Sequence, residues 1–376
     1  MKLLVIGSDR NIFKKDSDAQ KRIRDYGKLF EELRIIVFAD AKLRLSNLKI
    51  SENLFVHPTN HRFRLLYLWN IFRIIRDFRG DFVVSCQDPF ESGLAAWLVS
   101  RRLGSRFHIQ IHTDIFSPHF ASGSLMGWLR IFLAKFLLLR ADKIRVVSRR
   151  IFDSLKSDVK YQMSNVSVLP VFVDIKKIRD WKIRTDLHSR YPSHDFIMLM
   201  ASRLTKEKNI EMAIEAFAGA LRSMHDSNPV LPKNPLLLIV GGGSEELSLK
   251  SLATGYKLLD TNIVFEPWSD DLFSYYKTAD LFLLTSNYEG YGRTVVEAMA
   301  SGLPVVMTDV GLAGDILIDD LDGFVVPVGE PAILSEIVVR LMGDPEKLAD
   351  IRRQAQNALR DFPEKKEYLD LYKKSF

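Results

Sequence analysis

ADLFLLTSNYEGYGRTVVEAMASGLPVVMTD, residues 279–309, decides how the chain is to be read. Leu281 to Leu284 is a short, wholly apolar run, as expected of a strand buried on both faces of a parallel sheet. A Gly-rich turn follows, then a helical stretch from about Gly292, then a second apolar run at Val305 to Met307. Strand, turn, helix, strand is one βαβ unit. A helix opening at Gly292 presents unpaired N–H groups and a partial positive charge, which suits a phosphate. Glu289 stands in the turn, and Glu297 sits about five residues into the helix, roughly 7.5 Å further along. Two carboxylates so spaced can hold two points of one ligand lying across the helix start.

The same alternation extends in both directions. Strand-like runs are Leu3–Ile6, Ile35–Ala39, Phe82–Ser85, Phe107–Ile111, Ile144–Val147 and Val166–Pro170, with helical stretches near 20–33, 62–79, 90–103, 122–140 and 149–157 between them. The second half has strands at Phe196–Ala201, Leu236–Val240 and Asn262–Phe265 before the stretch quoted above. With 376 residues, two domains are expected. The fold class is therefore α/β, with two Rossmann-like, doubly wound parallel-sheet domains. Ligands in such sheets sit beyond the carboxyl ends of the strands, which selects the loops after Gly7, after Ile111, at Arg203 to Asn209 and at Glu289 to Arg293. Residues 175–195, rich in Lys, Arg and Asp, read as a linker. Asp320 and Asp322 have the spacing of a metal-binding pair, but their setting before Phe324 argues for a hairpin-like turn, and no His/Cys/Asp cluster suggests a metal.

The pair Glu289 and Glu297 with seven residues between them, the Gly290-Tyr291-Gly292 turn, and the tail that follows resemble the nucleotide-sugar site of the retaining glycosyltransferases of family 4, on the GT-B fold. That resemblance implies two domains facing a cleft: an acceptor-binding domain over 1–175, a nucleotide-sugar-binding domain over 176–360, and a C-terminal helix, 361–376, returning to the first. It implies that Glu297 binds the ribose, that Glu289 contacts hydroxyls of the transferred sugar, and that the amides of Gly290, Tyr291, Gly292 and Arg293 hold the diphosphate. Arg203 and Lys208 match an Arg and a Lys that bind the diphosphate in the family. Cations there oppose the charge that builds on the leaving nucleotide and favour the transition state over the ground state. Asn209 replaces the usual Gly after the Lys, and Asn tolerates a left-handed backbone. His112, at a strand end, matches a His that contacts the transferred sugar near the bond that breaks, while His108 and His119 read as packing residues. Asp114 either orients His112 or caps the next segment. Gly7 matches one of a pair of glycines near the diphosphate and reads equally well as a turn residue. Trp268 suits either stacking on the base or packing.

The expected partners are thus a nucleotide-sugar donor and a saccharide or lipid-linked acceptor, with no cofactor and no metal. A nucleotide-sugar epimerase on the same fold, or a non-catalytic sugar-nucleotide-binding protein, are the alternatives. A single cysteine, Cys86, rules out an internal disulfide framework and fits a cytoplasmic setting. The first strand ends too soon for a signal peptide, and Arg130 and Lys135 break the longest apolar run. Residues 1–175 hold 29 Lys and Arg against 17 Asp and Glu, and the remainder 24 against 30. The basic half asks for an anionic partner. No nucleic-acid-binding motif is present, so no nucleic acid is expected. An anionic membrane surface fits: on a helix, Arg62, Arg73 and Arg76 share an arc with Leu66 and Trp69, and Arg130, Lys135, Arg140, Lys143, Arg145, Arg149 and Arg150 add charge. An ordinary sheet-covering helix fits the same residues, and both readings stand open. Peripheral attachment to the inner membrane face goes with the first.

Overall fold

The computed structural model describes residues 1–63, 66–121, 124–158, 163–224 and 231–376. The expected helical stretches 62–79 and 122–140 include positions 64–65 and 122–123, which lie outside the described residues. The chain divides into two compact units, Met1–Pro170 with Glu364–Phe376, and Val171–Pro363.

The first unit is built on eight strands: β1 (Lys2–Gly7), β2 (Glu32–Val37), β3 (Leu48–Ser51), β4 (Leu54–Pro58), β5 (Phe82–Cys86), β6 (Arg106–Ile111), β7 (Lys143–Val146) and β8 (Val166–Val168). Their order is β3-β4-β2-β1-β5-β6-β7-β8, parallel throughout except where β3 meets β4. The β3–β4 hairpin was not expected. Its edge strand alternates half-buried and exposed residues over four positions, too weak a pattern to stand out. Central strands behave as the apolar runs require: β5 is buried along its whole length.

The second unit has six parallel strands, β9 (Phe196–Ala201), β10 (Pro235–Val240), β11 (Ile263–Glu266), β12 (Leu281–Leu284), β13 (Val305–Thr308) and β14 (Phe324–Val326), in the order β11-β10-β9-β12-β13-β14. Strands β9, β10, β12 and β13 are wholly buried. Because β14 runs parallel to β13, the 309–323 segment is a crossover and not a hairpin. Asp322 accepts from the Ile318 amide (2.7 Å) and Asp320 pairs with Lys347 (2.8 Å), so both carboxylates shape loops.

Residues 175–195 are not a free linker. Helices Ile175–Arg179 and Leu187–Arg190 lie in a segment tied to the second unit. There Trp181 and Thr185 donate to Asp271 (both 2.9 Å), and the Lys277 ammonium donates to the Trp181 carbonyl (2.7 Å). The last helix, Lys365–Lys374, belongs to the first unit. Tyr372 stacks on Tyr26 with ring centroids 4.1 Å apart, and Lys365 pairs with Asp25 (2.7 Å). Arg145, which the sequence suggested as a surface cation, is buried beneath this helix. Its guanidinium donates to Tyr368 (3.0 Å), to Gln110 (2.9 Å) and to the Leu169 carbonyl (3.1 Å).

Candidate functional site

The carboxyl ends of β9 and β12 form the site in the second unit. After β9 the chain makes a turn at Lys206–Lys208 and enters helix Ile210–Ser223. Asn209 takes a left-handed backbone there (φ 44°) and caps the helix by accepting from the Met212 amide. This is the conformation a glycine would otherwise be needed for. The turn is stitched to the segment after β12: the Asn287 amide donates to the Glu207 carbonyl (2.8 Å), and Thr285 donates to the Asn209 carbonyl (2.8 Å). From the other side, Gly241 and Gly243 approach so closely that a side chain at either would strike the Ser202 or Leu204 carbonyl. The loop carrying Arg203 and Lys208 is thus fixed by backbone contacts.

Lys208 forms an ion pair with Glu289, both largely buried, and Ser286 donates to the same Glu289 oxygen, Oε1 (2.9 Å). With Oε1 so occupied, Oε2 is the oxygen offered to a ligand. Arg203 is mostly exposed and pairs with Glu207 (2.6 Å), an exposed contact that an incoming anion can outcompete. Arg203, Lys208, Glu289, Trp268 and Thr294 line one cavity of about 220 Å³ floored by Met200, Phe282 and Leu284. A larger, open hollow of about 850 Å³ lies between helix Ile210–Ser223 and helix Glu246–Gly255. Neither Arg203, Lys208 nor Glu289 faces it, so it does not gather the expected set.

Helix Arg293–Ala300 opens at Gly292, whose φ of 96° excludes a side chain and whose N-cap carries no side-chain hydrogen bond. Tyr291 and Gly290 are buried in the turn. Gly311 presses on the same turn: a Cβ there would lie 2.5 Å from the Tyr291 carbonyl and 3.0 Å from Glu289 Cβ. Glu297 is buried on the helix, accepting from Arg293 Nε (2.7 Å) and facing Tyr276 OH (3.5 Å). Burial, and then the Glu297 charge, push the Tyr276 phenol well above its ordinary range, so it stays a donor. Glu297 does not line the 220 Å³ cavity.

Sequence reasoning missed Ser286, Thr294 and Tyr276. Hydroxyls carry no distinctive spacing; only the fold shows what they touch. It also missed the set behind Trp268, where Glu266, at the end of β11, pairs with Arg190 (3.0 Å) and accepts from Tyr275 (2.7 Å) and Tyr191.

Two residues named from sequence lie in the first unit. His112 follows β6 and is exposed. The protein packed around the strand end, and then Arg145 and Arg22, hold the imidazole below its ordinary range. Because the ring is exposed, the direction rests most firmly on the two cations, and it favours the neutral form near pH 7. Asp114 accepts from the Phe116 amide (3.2 Å), a capping contact. Gly7 ends β1 with an ordinary backbone, and only the flexible end of Gln87 occupies the place of a side chain. His108, by contrast, is buried, bonded to Ser85 (2.8 Å) and packed on Phe376. Among the described residues no three His, Cys, Asp or Glu side chains are placed to hold a metal ion.

Known proteins resemble this chain along both of its halves. A glycosyltransferase family 4 model matches residues 31–177, and the glycosyl transferases group 1 model matches residues 185–358. Residues 185–358 thus belong to the glycosyl transferases group 1 and residues 31–177 to glycosyltransferase family 4. Among curated relatives, the UDP-N-acetylglucosamine–peptide N-acetylglucosaminyltransferase GtfA subunit of Streptococcus gordonii is 24% identical over 74% of this chain and 52% of its own length. The UDP-Gal:α-D-GlcNAc-diphosphoundecaprenol α-1,3-galactosyltransferase of Escherichia coli is 25% identical over 58% of this chain and 54% of its own length. The chain therefore spans about half the length of these relatives. Among solved structures, Anabaena HepE in complex with UDP superposes with a TM-score of 0.75 at 19% identity, over 100% of this chain and 99% of that one. Sucrose-phosphate synthase from Thermosynechococcus elongatus superposes with a TM-score of 0.80 at 16% identity, over 100% and 99%. Both share the GT-B fold with this chain.

Proposed function

We propose that the protein transfers a hexose from a nucleotide-diphosphate sugar to an acceptor hydroxyl with retention of anomeric configuration. The observation that carries this is the convergence of Arg203, Lys208 and Glu289 on one cavity at the ends of β9 and β12. The hollow is smaller than a whole nucleotide sugar and suits its diphosphate and the adjoining sugar carbon atoms. In this reading Arg203 leaves Glu207 for the diphosphate, Lys208 bridges phosphate and Glu289, and the amides that open helix Arg293–Ala300 take further phosphate oxygens. Negative charge grows on the leaving phosphate as the glycosyl bond breaks, and these fixed donors answer it without a resident metal.

Glu289 Oε2 holds a hydroxyl of the transferred sugar. Glu297 receives the ribose hydroxyls, which displace the half-exposed Arg293 side chain. Trp268 lies where it can cover the base. His112 contacts the transferred sugar in its neutral form, and Gly7 lets the acceptor-side backbone come close. The departing phosphate takes the acceptor proton, since no better-placed base is evident. The first unit binds the acceptor, a saccharide or a lipid-linked saccharide. Its excess of Lys and Arg suits a pyrophosphate-linked acceptor or an anionic membrane surface, and it gives no reason to expect nucleic acid.

The test is transfer by the purified protein, starting with UDP-glucose and UDP-N-acetylglucosamine and a panel of lipid-linked and free saccharides. Lys208→Ala and Arg203→Ala should each lower kcat about 10²–10³-fold. Undiminished transfer by Glu297→Ala would contradict the ribose role. Inverted product configuration, or a new sugar released from donor alone, would overturn the reaction assigned.

A further inference from the structure

Helix Leu125–Leu138 is apolar on two opposite faces, with Arg130 and Lys135 between them. A helix of that kind normally has both faces covered. Here one face, with Gly127, Ala134, Leu137 and Leu138, is buried on the first unit. The opposite face carries Leu125, Met126, Trp128, Leu129 and Phe132, each between 55% and 79% exposed. At about 100° per residue these five occupy one arc of roughly 160°. Five large apolar side chains side by side on a surface mark a place where something docks.

The charges around this face say what docks. From Ile115 to Ala141 there is no acidic residue, while Arg130, Lys135 and Arg140 border or follow the face. Arg130 pairs with Glu91 of the neighbouring helix (2.8 Å), a solvent-exposed contact that a lipid phosphate can outcompete. The Arg140 guanidinium lies 3.5 Å from the Phe136 ring centroid, so the cation sits at the margin of the apolar surface. Helix Tyr67–Ile75 and helix Leu125–Leu138 each touch helix Glu91–Leu103, and the first of them adds exposed Trp69 with Arg73 and Arg76 beside it. The basic and aromatic arc read from sequence survives only in part: the helix runs from Tyr67 to Ile75, so Arg62 stands outside it and Leu66 and Arg76 are its caps.

We infer that the outward face of helix Leu125–Leu138 seats the first unit on an anionic phospholipid surface, with Trp128 and Phe132 entering the headgroup boundary and Arg130 and Arg140 meeting lipid phosphates. Cations bordering an apolar helix face match an interfacial helix. A two-fold contact between copies through this face would set those cations against themselves. The helix lies on the surface and does not cross it: fourteen residues are too few, and no helix among the described residues is long and apolar enough to span. The inference deepens the acceptor side of the function above and rests on it only for why a membrane position would be useful.

The test is flotation of the full chain with vesicles of phosphatidylcholine alone or mixed with phosphatidylglycerol, for the native protein and for W128S/F132S. Native protein should float with the anionic vesicles and about tenfold less with neutral ones. The variant should stay behind while still gaining thermal stability from UDP-glucose, which shows an intact second unit. Native protein that does not float, or a variant that floats equally, overturns the inference. So does light scattering that shows a native dimer, a variant monomer and no lipid binding, since a second copy would then cover the face. Loss of donor binding with flotation intact would strike the proposed function and leave this inference standing.

Discussion

Gly311 and Gly314 have nearly the same local problem and different surroundings. Both adopt left-handed backbones, φ 57° and 76°, but a Cβ at Gly314 meets nothing within 4 Å, whereas one at Gly311 meets the turn that carries Glu289. Gly314→Ala should therefore cost about 1 kcal/mol, the backbone alone. Gly311→Ala should cost about 2–4 kcal/mol, since overpacking adds to it, and should also weaken UDP-glucose binding. Urea denaturation and a donor titration of the two variants check this. His108 gives a second prediction at this scale. Burial, then Arg145 and Lys143, push its pKa down to about 3 from the ordinary 6.5. Above pH 6.5 folded and unfolded chains both hold it neutral, and it contributes nothing to pH dependence. As pH falls from 6.5 toward 3 only the unfolded chain takes up the proton, so stability is lost by up to about 1.4 kcal/mol per pH unit. His108→Asn should flatten that acid slope in melts recorded between pH 6.5 and 4.

Among elements, the C-terminal helix depends on a buried cation. Arg145 has carbonyl, amide and phenol oxygens around it, and the helix supplies one of them through Tyr368. Removing one partner of a buried charge costs more than the contact itself contributes. Tyr368→Phe should destabilise the first unit by about 1.5–3 kcal/mol and speed proteolytic cleavage near Glu364, read by limited trypsin digestion and thermal melts. Helix Arg293–Ala300 shows the contrary design. It opens at a glycine with no side-chain cap, which leaves its first amides for a ligand at some expense to its own stability.

At the level of the whole molecule, each unit has its own sheet, and the second its own core of buried residues from Phe196 to Ile351. Unfolding is expected as two calorimetric transitions. UDP, which lacks the sugar that His112 is proposed to contact, should at about 100 times its Kd stabilise the transition of the second unit by about 2.7 kcal/mol. It should leave that of the first unit where it was. Equal shifts of both transitions would show that the donor site is not confined to the loops after β9 and β12.

The βαβ rhythm, the doubly wound class and the loops to inspect were all legible in the residues, because strands buried on both faces must be continuously apolar and glycine or asparagine is favoured where the backbone turns left-handed. That much is local physics. Proximity across long sequence separations is not. The sequence could not show that Lys208 and Glu289, 81 residues apart, form one ion pair, nor that Glu297 turns to Arg293 and away from the cavity. It placed Arg145 among surface cations, and only packing against a helix more than two hundred residues later buries it. It also could not separate the covered face of helix Leu125–Leu138 from the bare one, since both are apolar. The pattern of apolar residues states which side chains leave water, and tertiary packing alone decides which neighbours receive them.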